Sequence, residues 1–181
     1  MIPYPLTLQP FPGTAPDLKL TLICTVFRYR SRLSLKYELQ GDLSPIAIDP
    51  PAEPPTRRDN LWETTCLECF CGIAGEPTYW EVNLSPAGHW NVYRFDDYRQ
   101  GMRPEPGVES LPFEVQARSQ HLELTLNLDL DLLNLRDRTL DLSVTAVIQP
   151  TQGEPTYWAL KHCRPEPDFH CRESFGFTLP A

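Results

Sequence analysis

The chain has 181 residues and a formal net charge of -8, and these values exclude several classes of protein. The length suits one hydrophobic core, so we expect a single domain over residues 1–181. An acidic chain repels a phosphate backbone, which excludes nucleic acid as an expected partner. The N-terminal stretch lacks the pattern of a signal peptide, and no apolar run approaches the roughly 18 residues that span a bilayer. We therefore predict a cytoplasmic protein with no membrane partner.

Proline and cysteine usage narrows the fold class. The 20 prolines outnumber the 9 glycines, and proline is excluded from helix interiors and central strands. This ratio favours many short elements over a few long helices. In a reducing cytoplasm, the six cysteines are expected to be thiols rather than a disulfide framework.

Apolar residues alternate with polar ones over most of the chain, which is typical of half-buried strands. The predicted strands cover residues 18–26, 33–39, 65–73, 78–84, 90–98, 113–118, 121–130, 139–148, 156–161 and 173–179. A loop is expected in the proline-dense segment 45–55, and a short helical turn within 129–138. The strand number and spacing predict an all-β fold, either a sandwich or a barrel, with little helix.

One hexapeptide, GEPTYW, occurs at residues 75–80 and again at 153–158. Each copy lies between two predicted strands, so both copies are expected to form hairpins. In one interpretation the hexapeptide is a structural turn whose aromatic pair packs on the sheet. In the other, both hairpins lie at the same end of the fold, where Trp80 and Trp158 flank a cleft.

The segment 57–68 combines two arginines, three carboxylates and an indole. Its candidate ligand-binding residues are Arg58, Trp62, Glu63 and Glu68. Aromatic rings stack on the apolar face of a sugar, and charged groups bond to its hydroxyls. A buried carboxylate at position 68 needs a partner, for which the arginines at 57 and 58 are candidates. A surface ion-pair cluster beside a core tryptophan is the alternative.

A second cluster lies near the C-terminus and supplies Lys161, His162 and His170 as candidates. The His-Cys pairs at 162–163 and 170–171 raise a zinc hypothesis, with the cysteines at 66, 69 and 71 as further ligands. Adjacent strand residues point to opposite faces, and the spacing is not that of a familiar zinc finger. We therefore predict no metal site and assign the cysteines at 69 and 71 to the core.

The two clusters are expected to converge on one pocket, because both place aromatic and charged groups at strand ends. The predicted ligand-binding set is Arg58, Trp62, Glu63, Glu68, Trp80, Trp158, Lys161, His162 and His170.

Several segments carry a family resemblance: LWETTCLECF at 61–70, YWEVNLSPAGHWNVYRFDDYRQGM at 79–102, YWALKH at 157–162 and PDFH at 167–170. Together they resemble the bacterial DOMON-like proteins related to family 9 carbohydrate-binding modules. The resemblance implies a jelly-roll-like two-sheet β-sandwich that holds a sugar or haem in a pocket at one side of a sheet. Cysteines at 69, 71, 163 and 171 depart from the mostly apolar or small residues expected there.

Three functions follow as hypotheses. The first is a non-catalytic domain that binds a carbohydrate or similar polar metabolite. The second is a haem-binding electron-transfer domain with ligands from Met102, Lys161, His162 and His170. The third is an enzyme in which His162 or His170 acts on a small substrate while Asp168 orients an imidazole. Since no familiar catalytic motif is present, we predict the binding domain, with a small-molecule ligand and no catalytic residue.

Overall fold

The computed structural model describes residues 3–14 and 18–181, and its described part is built almost entirely from antiparallel strands. In chain order the strands are β1 (Tyr4–Pro10), β2 (Leu20–Tyr29), β3 (Arg32–Gly41), β4 (Cys66–Ile73), β5 (Tyr79–Leu84), β6 (Trp90–Phe95), β7 (Arg103–Pro104), β8 (Phe113–Arg118), β9 (His121–Asp129), β10 (Leu140–Ile148), β11 (Thr156–Ala159) and β12 (Phe177–Leu179). The 3₁₀ helices are Leu61–Glu63, Leu130–Leu133 and Arg172–Ser174.

These strands are linked into one curled 12-stranded sheet, and its two halves are named here the A sheet and the B sheet. The A sheet has the order β1-β2-β3-β9-β8, and the B sheet has the order β7-β6-β5-β4-β10-β11, with β12 also paired to β10. The end of β1 leaves β2 and pairs with β11 through Gln9 and Pro10, so this strand joins the two sheets. The predicted all-β, two-sheet sandwich is confirmed.

The core lies between the inner faces of the two sheets, as strand alternation requires. The A sheet contributes every second residue of β2, β3 and β9, while the B sheet contributes the apolar residues of β4, β5 and β10. Cys69 and Cys71 belong to this core, as predicted. None of the six cysteines is paired in a disulfide, and all six lie in the described ranges.

The outer faces of the two sheets differ. On the A sheet, the outward residues of β2 and β3 are partly or fully exposed. On the B sheet, β4 and β5 are buried at every position. The outer face of the B sheet is therefore covered by other parts of the chain, and a second cluster of buried aromatic residues lies there, made of Phe70, Tyr79, Tyr93, Phe95 and Phe175.

One charged side chain enters the sandwich from the A sheet. Arg28 on β2 is 2% exposed, and its guanidinium donates four hydrogen bonds of 2.5–3.3 Å to backbone carbonyls. The acceptors are the carbonyls of Leu135, Arg136, Arg138 and Pro180. Arg28 thus ties the loop before β10 and the C-terminal segment to the sandwich.

The predicted strands match the structure to within about three residues, except that β1 and the two-residue β7 are missed and the C-terminal strand is shorter. The first strand, β1, is missed, because its sequence YPLTLQP carries two prolines that argue against a central strand. The predicted strand at 173–179 is shorter, since Arg172–Ser174 forms a 3₁₀ helix. The predicted turn within 129–138 is confirmed by the helix Leu130–Leu133. In the described residues, no helix is long and apolar enough to cross a membrane.

The second interpretation of the repeated hexapeptide is wrong. Strands β4 and β10 are antiparallel neighbours, with Leu140 opposite Ile73 and Val147 opposite Cys66. One hexapeptide follows the end of β4 and the other follows the end of β10, so the two hairpins lie at opposite ends of the B sheet. They therefore cannot flank one cleft.

Candidate ligand-binding site

A cavity of about 340 Å³ lies on the covered outer face of the B sheet, within the range of roughly 300–1,000 Å³ usual for small-molecule sites. Strands supply its floor, and three covering segments around residues 62, 99–102 and 167–170 supply its walls. The lining residues are Trp62, Glu68, Phe70, Glu81, Phe95, Arg99, Met102, Val147, Tyr157, Pro167, Phe169 and His170.

Two carboxyl groups form the polar part of the floor. Glu68 on β4 pairs in register with Asn83 on β5, and Phe70 pairs with Glu81, so the two glutamates are diagonal neighbours on one face. Glu68 Oε2 accepts a hydrogen bond of 3.1 Å from the Thr145 hydroxyl. Glu81 Oε1 accepts one of 2.8 Å from the amide of Asn83. Both glutamates are almost fully buried, with exposed fractions of 1% and 4%.

Burial determines the protonation of this pair. Loss of hydration raises the pKa of Glu68 to about 8, and repulsion from Glu81 adds to the rise. Loss of hydration also raises the pKa of Glu81, to about 7, although the hydrogen bond from Asn83 opposes the shift. Two neighbouring carboxyls in a dry site cannot both be ionised cheaply, so the pair retains a proton near neutral pH.

Trp62 forms one wall because a short helix holds it there. Asn60 has a left-handed backbone (φ 60°) just before the helix Leu61–Glu63, a conformation that asparagine tolerates better than most residues. The carboxylate of Asp59 fixes this entry by accepting hydrogen bonds from the Tyr93 hydroxyl at 2.5 Å and the Asn91 amide at 3.0 Å. The indole then packs edge-on against Tyr93, with ring centroids 5.9 Å apart.

His170 reaches the floor from the covering segment. Its Nδ1 lies 2.8 Å from the Tyr79 hydroxyl, which also accepts a hydrogen bond from the backbone N–H of Arg99. Nδ1 accepts the hydrogen bond from the Tyr79 hydroxyl when the neutral imidazole carries its hydrogen on Nε2. That nitrogen lies 4.0 Å from Glu81 Oε2. Loss of hydration lowers the pKa of His170 to about 4, and the charge of Arg99 lowers it further, so the ring is neutral at pH 7.

An ion pair fastens the covering segment to the loop after β6. Asp168 accepts hydrogen bonds from Arg99 at 3.0 Å and from the Tyr98 hydroxyl at 2.7 Å. Burial opposes ionisation of Asp168, but these two bonds outweigh it and lower its pKa. The same carboxylate accepts the backbone N–H of His170 at 3.2 Å. The latch formed by Asp168, Arg99 and Tyr98 thereby places His170 over the sheet.

The structure brings together three of the predicted site residues. Trp62 and Glu68 from the first cluster and His170 from the second all line the cavity. The predicted convergence of the two clusters is met by these three residues. Whether they bind a ligand stays a prediction.

The other predicted residues lie elsewhere. Trp80 and Trp158 are each 3% exposed and belong to the core between the sheets, because strand alternation turns them inward; their assignment to a ligand site is corrected. Arg58 and Glu63 are exposed and do not line the cavity. Two residues of the second predicted cluster also lie outside the cavity. Lys161 donates a hydrogen bond to the Glu173 carbonyl, and His162 bonds to the Gln9 carbonyl.

The expected arginine partner of Glu68 is also corrected. The guanidinium of Arg57 donates to the carbonyls of Glu105 and Val108 and lies over the ring of Trp90. Among the described residues Glu68 has no salt bridge. Protonation and the Thr145 hydroxyl replace the ion pair that the sequence suggested.

Sequence reasoning missed eight lining residues: Phe70, Glu81, Phe95, Arg99, Val147, Tyr157, Pro167 and Phe169. The signal for Tyr157 was present, because alternation sends it outward once Trp158 is placed in the core. In the same way, alternation along β5 places Glu81 on the outer face once Trp80 is assigned to the core. In both copies of the hexapeptide the tryptophan is structural and its neighbours face the outer side of the sheet.

The geometry does not support the metal, haem or histidine-enzyme hypotheses. In the described ranges, the one group of three potential metal-ligating side chains is Glu38, His121 and Glu123 on the A sheet, away from both His-Cys pairs. Of the proposed haem ligands, Met102 and His170 line the cavity, whereas Lys161 and His162 lie outside it. Asp168 accepts the backbone N–H of His170 and does not orient its imidazole.

Comparisons with known proteins support the fold. No family model matches the sequence, and no curated protein does so either. The chain is similar to a proposed carbohydrate-binding protein from Bacteroides uniformis, with a TM-score of 0.69 and 14% identity over 94% of this chain and 84% of that one. It is also similar to a family 9 carbohydrate-binding module from Caldicellulosiruptor kristjanssonii in complex with cellotriose. There the TM-score is 0.54 and the identity 6% over 87% of this chain and 72% of that one.

These similarities establish a sandwich fold of the kind found in family 9 carbohydrate-binding modules. That part of the predicted relationship is confirmed at the level of fold. The narrower resemblance to DOMON-like proteins stays a prediction.

Proposed function

We propose that the chain is a non-catalytic, DOMON-like domain of the cytoplasm that binds a small saccharide in the cavity on the outer face of the B sheet. The single observation that carries this proposal is the composition of the cavity wall. Aromatic side chains and buried hydrogen-bonding groups line the same space. A sugar ring presents both an apolar face and a rim of hydroxyls, and this wall offers a complement to each.

The aromatic part of the wall comes from three directions. Trp62 belongs to the covering helix, Tyr157 to β11 and Phe169 to the covering segment. Tyr157 and Phe169 pack edge-on with centroids 6.1 Å apart. Aromatic groups placed on different elements around one space can bury much of the apolar surface of a ring-shaped ligand.

The polar part of the wall offers both donors and acceptors. Protonated Glu68 or Glu81 can donate a hydrogen bond as well as accept one, and the neutral His170 donates from Nε2. A sugar hydroxyl likewise both donates and accepts. A floor of neutral or singly charged groups therefore suits a ligand rich in hydroxyls better than a fully ionised floor would.

A titration of the purified protein with glucose and with cellotriose tests the proposal. We expect saturable heat of binding by calorimetry at up to about 10 mM saccharide, a concentration at which even a millimolar complex forms, with the saccharide recovered unchanged. Trp62→Ala should weaken this binding at least about tenfold, equivalent to roughly 1.4 kcal/mol.

The matched control is Tyr29→Ala, which removes another exposed aromatic ring, 55% exposed, at the hairpin of the A sheet. It should bind like the wild type. Absence of binding to either saccharide, or equal loss of binding in both variants, would contradict the proposed function.

A further inference from the structure

The cavity is lined by more acidic than basic side chains. Two of its lining side chains are carboxyls, Glu68 and Glu81, and within residues 3–14 and 18–181 its one lining side chain with a permanent positive charge is Arg99. The guanidinium of Arg99 is already paired with Asp168 at 3.0 Å. Among the described lining residues, the positive charge nearest to the glutamates is therefore this already paired Arg99.

The rest of the wall favours a cation. Five aromatic side chains line the cavity: Trp62, Phe70, Phe95, Tyr157 and Phe169. The negative face of an aromatic ring attracts a cation, and this attraction grows when water is excluded. The net charge of -8 on the whole chain adds a weaker, long-range attraction of the same sign.

We propose that the saccharide bound in the cavity carries a protonated amine, which lies against the carboxylates of Glu68 and Glu81. The inference rests on the proposed function, because it specifies the charge of the saccharide that the domain binds. A primary ammonium donates three hydrogen bonds, which suits two diagonal carboxylates that each already accept one bond from a neighbour. An uncharged sugar offers the same hydroxyls but cannot balance the ionised pair.

Binding of a cation is coupled to loss of protons from the pair. The titratable and charged groups that face the pair are Cys66 on β4, Tyr79 on β5, Tyr93 on β6, Arg99 in the following loop and His170 in the covering segment. The cysteine and tyrosines keep their protons at neutral pH, because burial raises the pKa of each. His170 is neutral, so Glu68 and Glu81 are the groups that can release protons when a cation binds between pH 5.5 and 7.

The direction of the pH dependence follows. Without ligand, the raised pKa values of Glu68 and Glu81 keep the pair largely protonated at pH 5.5. A bound ammonium favours ionised carboxylates, so binding at that pH must expel protons. The affinity for the amine should therefore rise from pH 5.5 to pH 7, by up to about tenfold per pH unit for each proton released.

Calorimetric titrations with glucosamine, glucose and cyclohexylamine test the inference. Glucosamine and glucose share a ring and differ in one amine, while cyclohexylamine keeps a ring and an amine without the hydroxyls. At about pH 7 we expect glucosamine to bind at least tenfold more tightly than glucose. Its affinity should fall at about pH 5.5, and titrations in two buffers with different heats of ionisation should show proton release.

Glu68→Gln and Glu81→Gln keep the shape and the hydrogen-bond acceptors of the floor. Each should reduce glucosamine binding about tenfold more than it reduces glucose binding. The control is Glu114→Gln, an exposed carboxylate on β8 of the other sheet, which should leave both affinities unchanged.

The outcomes separate the inference from the proposed function. Equal binding of glucose and glucosamine would overturn the inference and leave saccharide binding in place. Binding of cyclohexylamine without either sugar would overturn the proposed function while retaining an amine site. If none of the three binds, both are wrong.

Discussion

Two regions of the molecule bury ionisable side chains on strands, and they satisfy them differently. Arg28 of the A sheet donates four hydrogen bonds to backbone carbonyls. Glu68 and Glu81 of the B sheet accept one each from neighbouring side chains. Arg28 is enclosed by the segments it holds, whereas the glutamates face a cavity.

The difference separates a structural charge from a ligand-binding one. A buried charge whose hydrogen bonds are all made within the chain has few donors or acceptors available for a ligand. Its removal leaves its partners without a hydrogen bond. Carboxyls that face an open cavity can still accept further hydrogen bonds, and their pKa values are shifted by burial. They can therefore bind a ligand in place of water or protons. Counting the hydrogen bonds of each buried charge, rather than noting burial alone, distinguishes the two regions.

The largest effect is expected for Arg28→Met. This change leaves four backbone carbonyls at one end of the sandwich without their donor, so the free energy of unfolding should fall by about 3–5 kcal/mol. Urea denaturation measures the change. The control Arg118→Met, an exposed arginine at the end of β8, should alter stability by less than about 0.5 kcal/mol. A loss below about 1 kcal/mol for Arg28→Met would show that these bonds are not structural.

Two tryptophans, one in the core and one in the cavity wall, should differ in their contribution to stability. Trp80→Ala removes an indole from between the sheets and should lower the free energy of unfolding by about 3–5 kcal/mol. Trp62→Ala removes a half-buried indole of the cavity wall, so it should cost about 1–2 kcal/mol and abolish most saccharide binding. Thermal unfolding and calorimetry together check both. If both changes lower the free energy of unfolding by the same amount, Trp62 serves the stability of the fold in the same way as Trp80.

The protonation of the glutamates gives a pH-dependent prediction. The pKa of Glu68 is higher in the folded chain than in the unfolded one, so the stability gained by holding its proton is lost as the pH rises through about 8. Glu68→Gln has no such loss. Relative to the wild type, its free energy of unfolding should therefore increase by on the order of 2 kcal/mol between about pH 4.5 and about pH 8.5.

Denaturant unfolding at several pH values measures that difference, with Glu114→Gln as the control that shows no such trend. A pH-independent difference between Glu68→Gln and the wild type would mean that folding does not raise the pKa of Glu68, and the contrast with Arg28 would lose its basis.

The smallest effect is expected at the latch over the cavity. Asp168→Asn removes the charge that pairs with Arg99, whose side chain is half exposed, so stability should fall by less than about 1 kcal/mol. The saccharide affinity should fall about threefold, because the segment carrying His170 is held less firmly. Calorimetry on the variant checks this, and an unchanged affinity would show that binding does not need the latch.

Much of the fold could be predicted from the sequence, because strand alternation is a local signal. The alternation over 121–130 and 139–148 places the strands within a residue of β9 and β10. The same signal places Cys66 and Glu68 on the face opposite Cys69 and Cys71. The strand β1 could not be found this way, since its prolines are tolerated only because most of the strand pairs on one side.

The site could be predicted only in part, because its walls depend on contacts between distant segments. Trp62, Glu68 and His170 were predicted as site residues because each lies in a short segment rich in aromatic and charged residues, and all three line the cavity. Arg99 and Phe169 join them only through the Asp168 latch, which no local pattern encodes. The sequence also cannot indicate that the outer face of the B sheet is covered while that of the A sheet is exposed, since both have the same alternation.

The most direct test of saccharide binding on the B sheet is a crystal structure of the protein soaked with glucosamine. We predict that the sugar occupies the cavity, with its ring against Trp62 and its amine against Glu68 and Glu81. A sugar bound on the A sheet, or at any other surface while the cavity holds only solvent, would contradict the account.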